Sequence, residues 1–166
     1  MVMQKSTNTG QPEGSNKLTV IGNSTRITVT GIADVPAKVD TGAARSSIWA
    51  SNIRLTPDNQ LEFSLFSPKS PLYTGERILV SQFEVVIVRN STGQESIRYV
   101  VTLPTTIEGK KIRISYTLAD RSRNKFPVLI GCRTLKGKFL VDVSEQSIKP
   151  AISATKKLNR ELKTNP

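Results

Sequence analysis

Between Leu18 and Val143 the apolar residues come in short runs, and none of these runs carries the three-and-four spacing of an amphipathic helix. "LTVIG", "RITVTGI" and "PAKVDTG" are rich in Val, Ile and Thr and are bounded by Gly, Asn or Pro, the composition of strands closed by turns. "LEFSLF" alternates Leu61, Phe63 and Leu65 with Glu62 and Ser64, which predicts a half-buried strand. "QFEVVIVRNSTGQESIRYVVTL" sets two strand-like arms around Asn90-Ser91-Thr92-Gly93, a polar turn with a glycine able to take positive φ, and predicts a hairpin. "TTIEGKKIRISYTL" repeats the pattern around Glu108-Gly109-Lys110, and "FPVLIG" and "KFLVDV" are two further apolar strands. Residues 67–75 read as a loop, and "RTLKG" after Cys132 as one short helical turn. The expected fold class is all-β.

A chain of 166 residues holds one core of ordinary size. The folded domain is expected over residues 17–148, after a polar, disordered lead-in at 1–16. A basic tail follows at 149–166, where Lys149, Lys156, Lys157, Arg160 and Lys163 face Glu161 alone. Nothing reads as a membrane span, and the start has no apolar stretch of the secretory type, so a cytoplasmic protein is expected.

With one cysteine and no histidine, the chain has no internal disulfide, no His/Cys zinc set and no imidazole to activate a serine or cysteine nucleophile. No metal and no cofactor are expected. Cys132 reads as a buried structural thiol, Trp49 and Phe126 as core or interface anchors, and Asp142 as a strand end with local hydrogen bonds. The excess of 24 basic over 13 acidic residues, +11, draws in polyanions: nucleic acid, anionic lipid or acidic polypeptide. Aromatic residues are only 5% of the chain and form no RNA-binding strand motif, so nucleic acid is the least favoured of these.

One stretch carries chemistry. In "AKVDTGAARSSIWA" Asp40 follows an apolar approach, and Thr41 and Gly42 supply a hydroxyl and backbone N–H groups where the chain turns. Such donors fix a carboxylate's orientation and favour its charged form. The same tripeptide also serves as an ordinary turn. Hydrolysis by carboxylates needs two of them sharing a proton, one accepting from water and the other donating to the carbonyl oxygen. Asp40 alone is half of such a site.

The order of "VDTGA", a hairpin, and then "FPVLIG" with its short helical turn resembles the retropepsins, single-domain aspartic proteases in which two identical chains each give one Asp. The resemblance implies a retropepsin-like acid-protease β-barrel with the active site at a homodimer interface, and the Asp40 of a partner as the missing carboxylate. "AKVDTGAARSSIWAS", "VRNSTGQESIRYVV", "LADRSRNKFPVLIG" and "LKGKFLVDVS" look still more like the bacterial and archaeal family labelled retropepsin-like, ATP-dependent zinc proteases. That family is associated with RimK-type ATP-grasp ligases that add glutamate to proteins, which implies an endopeptidase acting on glutamate-rich peptides. The label's zinc and ATP find no support here, since there is neither a His nor a phosphate-binding Gly-rich loop.

The resemblance also implies roles. Asp40, Thr41 and Gly42 form the catalytic loop, and the hairpin carrying Asn90 and Gly93 is the flap that closes over substrate. Ala43 lines the substrate cleft, while Arg45, Arg89, Arg98 and Arg121 hold glutamate carboxylates. This chain departs from the family where Trp49 replaces a usual His, Ala44 a basic residue and Cys132 an Arg. In retroviral proteases the positions matching Ala44 and Cys132 hold an Asp and an Arg that pair, and here both partners are missing together, so no charge is stranded. The alternative function is a non-catalytic basic module that docks acidic tails or nucleic acid.

Overall fold

The structure is a computed structural model and describes residues 17–89, 92–145 and 148. The lead-in at 1–16, Asn90 and the basic tail at 149–166 lie outside the described residues. The elements run β1 (Thr19–Ile21), β2 (Ser24–Val29), β3 (Ile32–Val39), β4 (Ser46–Leu55), β5 (Leu61–Leu65) and β6 (Ile78–Val80). They continue with β7 (Glu84–Arg89), β8 (Glu95–Ile107), β9 (Lys110–Ala119), β10 (Val128–Ile130), α1 (Cys132–Leu135) and β11 (Phe139–Val141). The all-β expectation holds, and the short turn after Cys132 is the one helix among the described residues. No described helix is long and apolar enough to cross a membrane.

The strand order β10-β3-β2-β8-β9-β4, with β10 also paired to β4, closes a barrel of six strands. Tight turns fix its registers. The β2–β3 turn has positive φ at Thr30 and Gly31, and the β8–β9 turn has positive φ at Glu108 and Gly109. A two-residue loop with both φ positive matches the right-handed twist of the strands it joins. The register from Val100↔Thr117 to Ile107↔Lys110 then makes β8–β9 the longest ladder of the molecule. Inside lie Ile27, Val35, Ile48, Phe63, Ile107, Tyr116 and Ile130, each almost wholly buried. The Tyr116 hydroxyl shares a hydrogen bond of 3.2 Å with Thr105 Oγ1, so this buried polar group is satisfied.

The alternation read in Leu61–Leu65 holds for its three apolar residues, but Ser64 is buried as well. β5 is flanked by β4 and β6, and neither of its faces is open at this point, with Ser64 buried and Glu62 half-buried, so a polar residue there does not mark a solvent side. Outside the barrel, β1 and β11 form a separate parallel pair.

Candidate active site

The Asp40 loop is built where two strands of the barrel part. β3 and β4 are separated by β10, which runs parallel to β3 (Ile130↔Val39) and antiparallel to β4 (Leu129↔Ser47). Asp40 stands just past the end of β3, half-buried, with its N–H donating to the Ile130 carbonyl at 2.9 Å. The chain then curls back on itself. Gly42 N–H donates to Asp40 Oδ1 at 3.0 Å, and Ala43 N–H donates to the Asp40 carbonyl at 3.3 Å. One carboxylate oxygen is thus oriented by the backbone, and Oδ2 has no protein partner among the described residues, which leaves it for water.

The segment after β10 locks this loop from beneath. Cys132 N–H donates to the Ala43 carbonyl at 2.7 Å and Arg133 N–H to the Ala44 carbonyl at 3.1 Å. Gly131 fits between them because it has no side chain: a Cβ there would lie 2.5 Å from the carbonyl carbon and oxygen of Arg45. Its N–H donates to Ser46 Oγ at 3.0 Å, and Ser46 Oγ is 2.7 Å from Thr134 Oγ1, both hydroxyls being buried. Ser46 therefore joins the loop, β10 and α1 through one hydroxyl. Ser46→Ala is expected to cost about 1–3 kcal/mol, because it leaves a buried N–H and the Thr134 hydroxyl without this partner. Urea unfolding checks the value, and an unchanged midpoint would remove Ser46 from the lock.

Cys132 corrects an expectation: it is exposed, not buried. The register that puts Gly131 under the loop carries the next residue to its outer side, where Sγ donates to the Thr41 carbonyl at 2.8 Å. The side chains near Asp40 do not fit a zinc ion, for no group of three His, Cys, Asp or Glu exists among the described residues. Trp49 does act as an anchor, packed edge-on to Phe66 with ring centroids 6.4 Å apart. Asp142 ends β11 and accepts hydrogen bonds from Ser144 at 2.9 and 2.6 Å, which hold its pKa below the ordinary carboxylate value.

The four arginines divide into two kinds. Arg45 is 3.6 Å from Glu84, and Arg89 pairs with Glu95 across the hairpin, so both already face a carboxylate. Arg98 and Arg121 have no such partner among the described residues. Continuing the β8–β9 register brings Arg98 opposite Ala119, the last residue of β9, and Arg121 follows two residues on. Arg121 Nε donates to the Phe126 carbonyl at 3.1 Å, which fixes its guanidinium. Burial lowers the pKa of Arg121 from its ordinary value, the neighbouring Arg98 charge acts in the same direction, and Asp40 opposes them. Arg121 thus lies within the field of both Arg98 and Asp40. The hairpin of β7 and β8 rises above the barrel with Val85, Ile87 and Ile97 more than half exposed, and Gly93 has φ +82° in its turn.

A closed barrel whose single Asp-Thr-Gly loop is clamped by an apolar-Gly strand and a one-turn helix defines a retropepsin-like protein. Residues 20–151 match the RimB-like family model, described as retropepsin-like aspartic endopeptidase RimB, and the chain belongs to that family. A probable alpha-L-glutamate ligase of Desulfotalea psychrophila is 32% identical over 120 residues, covering 70% of this chain and 26% of that protein. A probable alpha-L-glutamate ligase of Shewanella pealeana is 29% identical over 122 residues, with 69% and 26% covered. The chain thus spans about a quarter of the length of the curated relatives it matches. A crystal structure of a Legionella pneumophila protein of unknown function superimposes with a TM-score of 0.56 at 22% identity, over 77% of this chain and 95% of that one, and shares the fold.

Proposed function

We propose that this protein is a metal-independent aspartic endopeptidase that works as a homodimer and cuts glutamate-rich peptides. The observation that carries this reading is Asp40 itself, a single strand-end carboxylate with one oxygen held by Gly42 N–H and the other unpartnered among the described residues. One chain supplies one such group, and a second copy supplies the other. In the dimer one Asp40 takes a proton from water while its partner, protonated, donates to the substrate carbonyl. The β7–β8 hairpin closes over the bound peptide and excludes water.

Two facts support glutamate as the recognised side chain. Arg121 lies in the field of Asp40 with Arg98 beside it, neither has a carboxylate partner among the described residues, and guanidinium groups bind carboxylates through paired hydrogen bonds. The matched region also occurs inside proteins named for glutamate ligation, which supports a working partnership with a RimK-type ligase on a shared substrate. Incubation with poly-α-glutamate and with a neutral peptide mixture tests the reading, with chelator present in both. Cleavage of the glutamate chain alone is expected. Arg98→Gln is expected to lower kcat/KM on glutamate peptides about tenfold or more, as loss of one charged contact does. Cleavage of both substrates alike would sink the acidic preference, and no cleavage by the dimer would favour a basic module that only binds acidic tails.

A further inference from the structure

A second gathering of cations lies around a surface groove lined by Arg45, Glu84, Arg113, Ser115, Arg133 and Lys138. Three parts of the fold make it. β9 turns Lys111, Arg113 and Ser115 outward while Ile114 and Tyr116 point into the core. α1 brings Arg133, whose N–H is held by the Ala44 carbonyl, beside the loop that carries Arg45. Lys138 follows α1, its carbonyl accepting from Lys110 Nζ at 3.1 Å. Four cations therefore face one carboxylate, that of Glu84.

Glu84 shows how the groove takes a ligand. Its carboxylate lies 3.6 Å from Arg45, with the two side chains 66% and 35% exposed, so a glutamate side chain is already seated at one end in an open, replaceable pair. No aromatic side chain lines the groove, and base stacking, the usual grip on single-stranded nucleic acid, has no platform there. Arg45 is also five residues along the chain from Asp40, in the same loop, which joins this groove to the segment that carries the carboxylate.

We infer that the groove is an extended binding site for an acidic polypeptide, a run of glutamates that displaces Glu84 and lies along Arg45, Arg133, Arg113 and Lys138. This deepens the reading of the active site and depends on it only for the identity of the polymer. The site would favour long glutamate chains over short ones, because only a long chain fills cleft and groove together.

The test is binding, measured on the full chain carrying Asp40→Asn so that hydrolysis plays no part. Labelled poly-α-glutamate and triglutamate are titrated into that protein and into a version with Arg113→Glu and Arg133→Glu added. Affinity for the polymer is expected to fall about tenfold or more while that for triglutamate stays the same, since rim charges act on the part of the chain that reaches them. Glu84→Gln is expected to tighten polymer binding by freeing Arg45. A control with Arg26→Glu and Lys38→Glu removes the same charge from β2 and β3, and it is expected to bind the polymer as before. Equal losses in the two double variants would overturn the groove in favour of the diffuse basic field. Tighter binding of single-stranded oligothymidylate than of poly-α-glutamate, lost with the same two arginines, would overturn the acidic polypeptide in favour of nucleic acid. Failure of the protease reading would appear separately, as absent cleavage by the Asp40 protein.

Discussion

Asp40→Asn is expected to lower kcat/KM for poly-α-glutamate by roughly 10³-fold or more, the scale on which general acid and base catalysis contribute together. The fold is expected to survive. Asp40 is half-buried, and the amide oxygen of Asn still accepts the Gly42 N–H that now ends on Oδ1. On the proposed mechanism the variant loses the carboxylate that takes a proton from water, and in a dimer it loses both. That distinction supplies a second readout: wild-type protein refolded with an excess of the variant should form mixed dimers with one carboxylate, and its activity should fall well beyond simple dilution. Activity that follows the amount of wild-type chain alone would show that each Asp40 acts singly. On the proposed mechanism one proton is shared by the pair, so the rate should fall at both ends of the pH range. A variant that cleaves at the wild-type rate would remove Asp40 from the chemistry altogether.

The parts of this arrangement that obey local rules were legible in the sequence. Strands showed in Val, Ile and Thr runs, and the β8–β9 turn showed in Glu108-Gly109, because a left-handed pair at a hairpin needs residues that tolerate it. The turn at Asp40 was legible for the same reason, as the carboxylate and the glycine whose N–H it accepts stand two residues apart. Contacts between distant segments were not. Free cysteines are usually buried, yet the side on which Cys132 stands is decided by where Gly131 docks, some 90 residues from the loop it touches, and it is exposed. Likewise Arg45, Arg89, Arg98 and Arg121 look alike in sequence, and only the fold separates the two that face Glu84 and Glu95 from Arg121, in the field of Asp40, and its neighbour Arg98. Arg113, Arg133 and Lys138 drew no attention in the sequence because no motif holds them; β9 and α1 bring them together.

Gly131→Ala is the second large effect and tests the clamp beneath the loop. The glycine is not needed for its backbone conformation: φ is −93° and ψ 172°, which any residue adopts. What forbids a side chain is space. An added Cβ would lie 2.5 Å from the Arg45 carbonyl carbon and oxygen and 2.8 Å from the Ala43 carbonyl oxygen, and all three are backbone atoms that cannot swing aside as a side-chain tip would. Overpacking against such neighbours costs about 3 kcal/mol, and the strain falls on the segment that orients Asp40. Gly93→Ala is the natural comparison. Gly93 has φ +82°, and among the described residues beyond its chain neighbours no atom lies within 4 Å of its would-be Cβ, so its substitution meets chiefly the penalty of the left-handed conformation, about 1 kcal/mol. Urea unfolding should therefore rank Gly131→Ala well below Gly93→Ala in midpoint, with similar slopes. Activity adds the deciding measurement. Under conditions where Gly131→Ala is still fully folded, its cleavage rate should remain depressed, because the loop must shift to admit the methyl group. A Gly131→Ala protein as stable and as active as the parent would mean that α1 does not hold the Asp40 loop, and the orientation of the carboxylate would then rest on Gly42 alone.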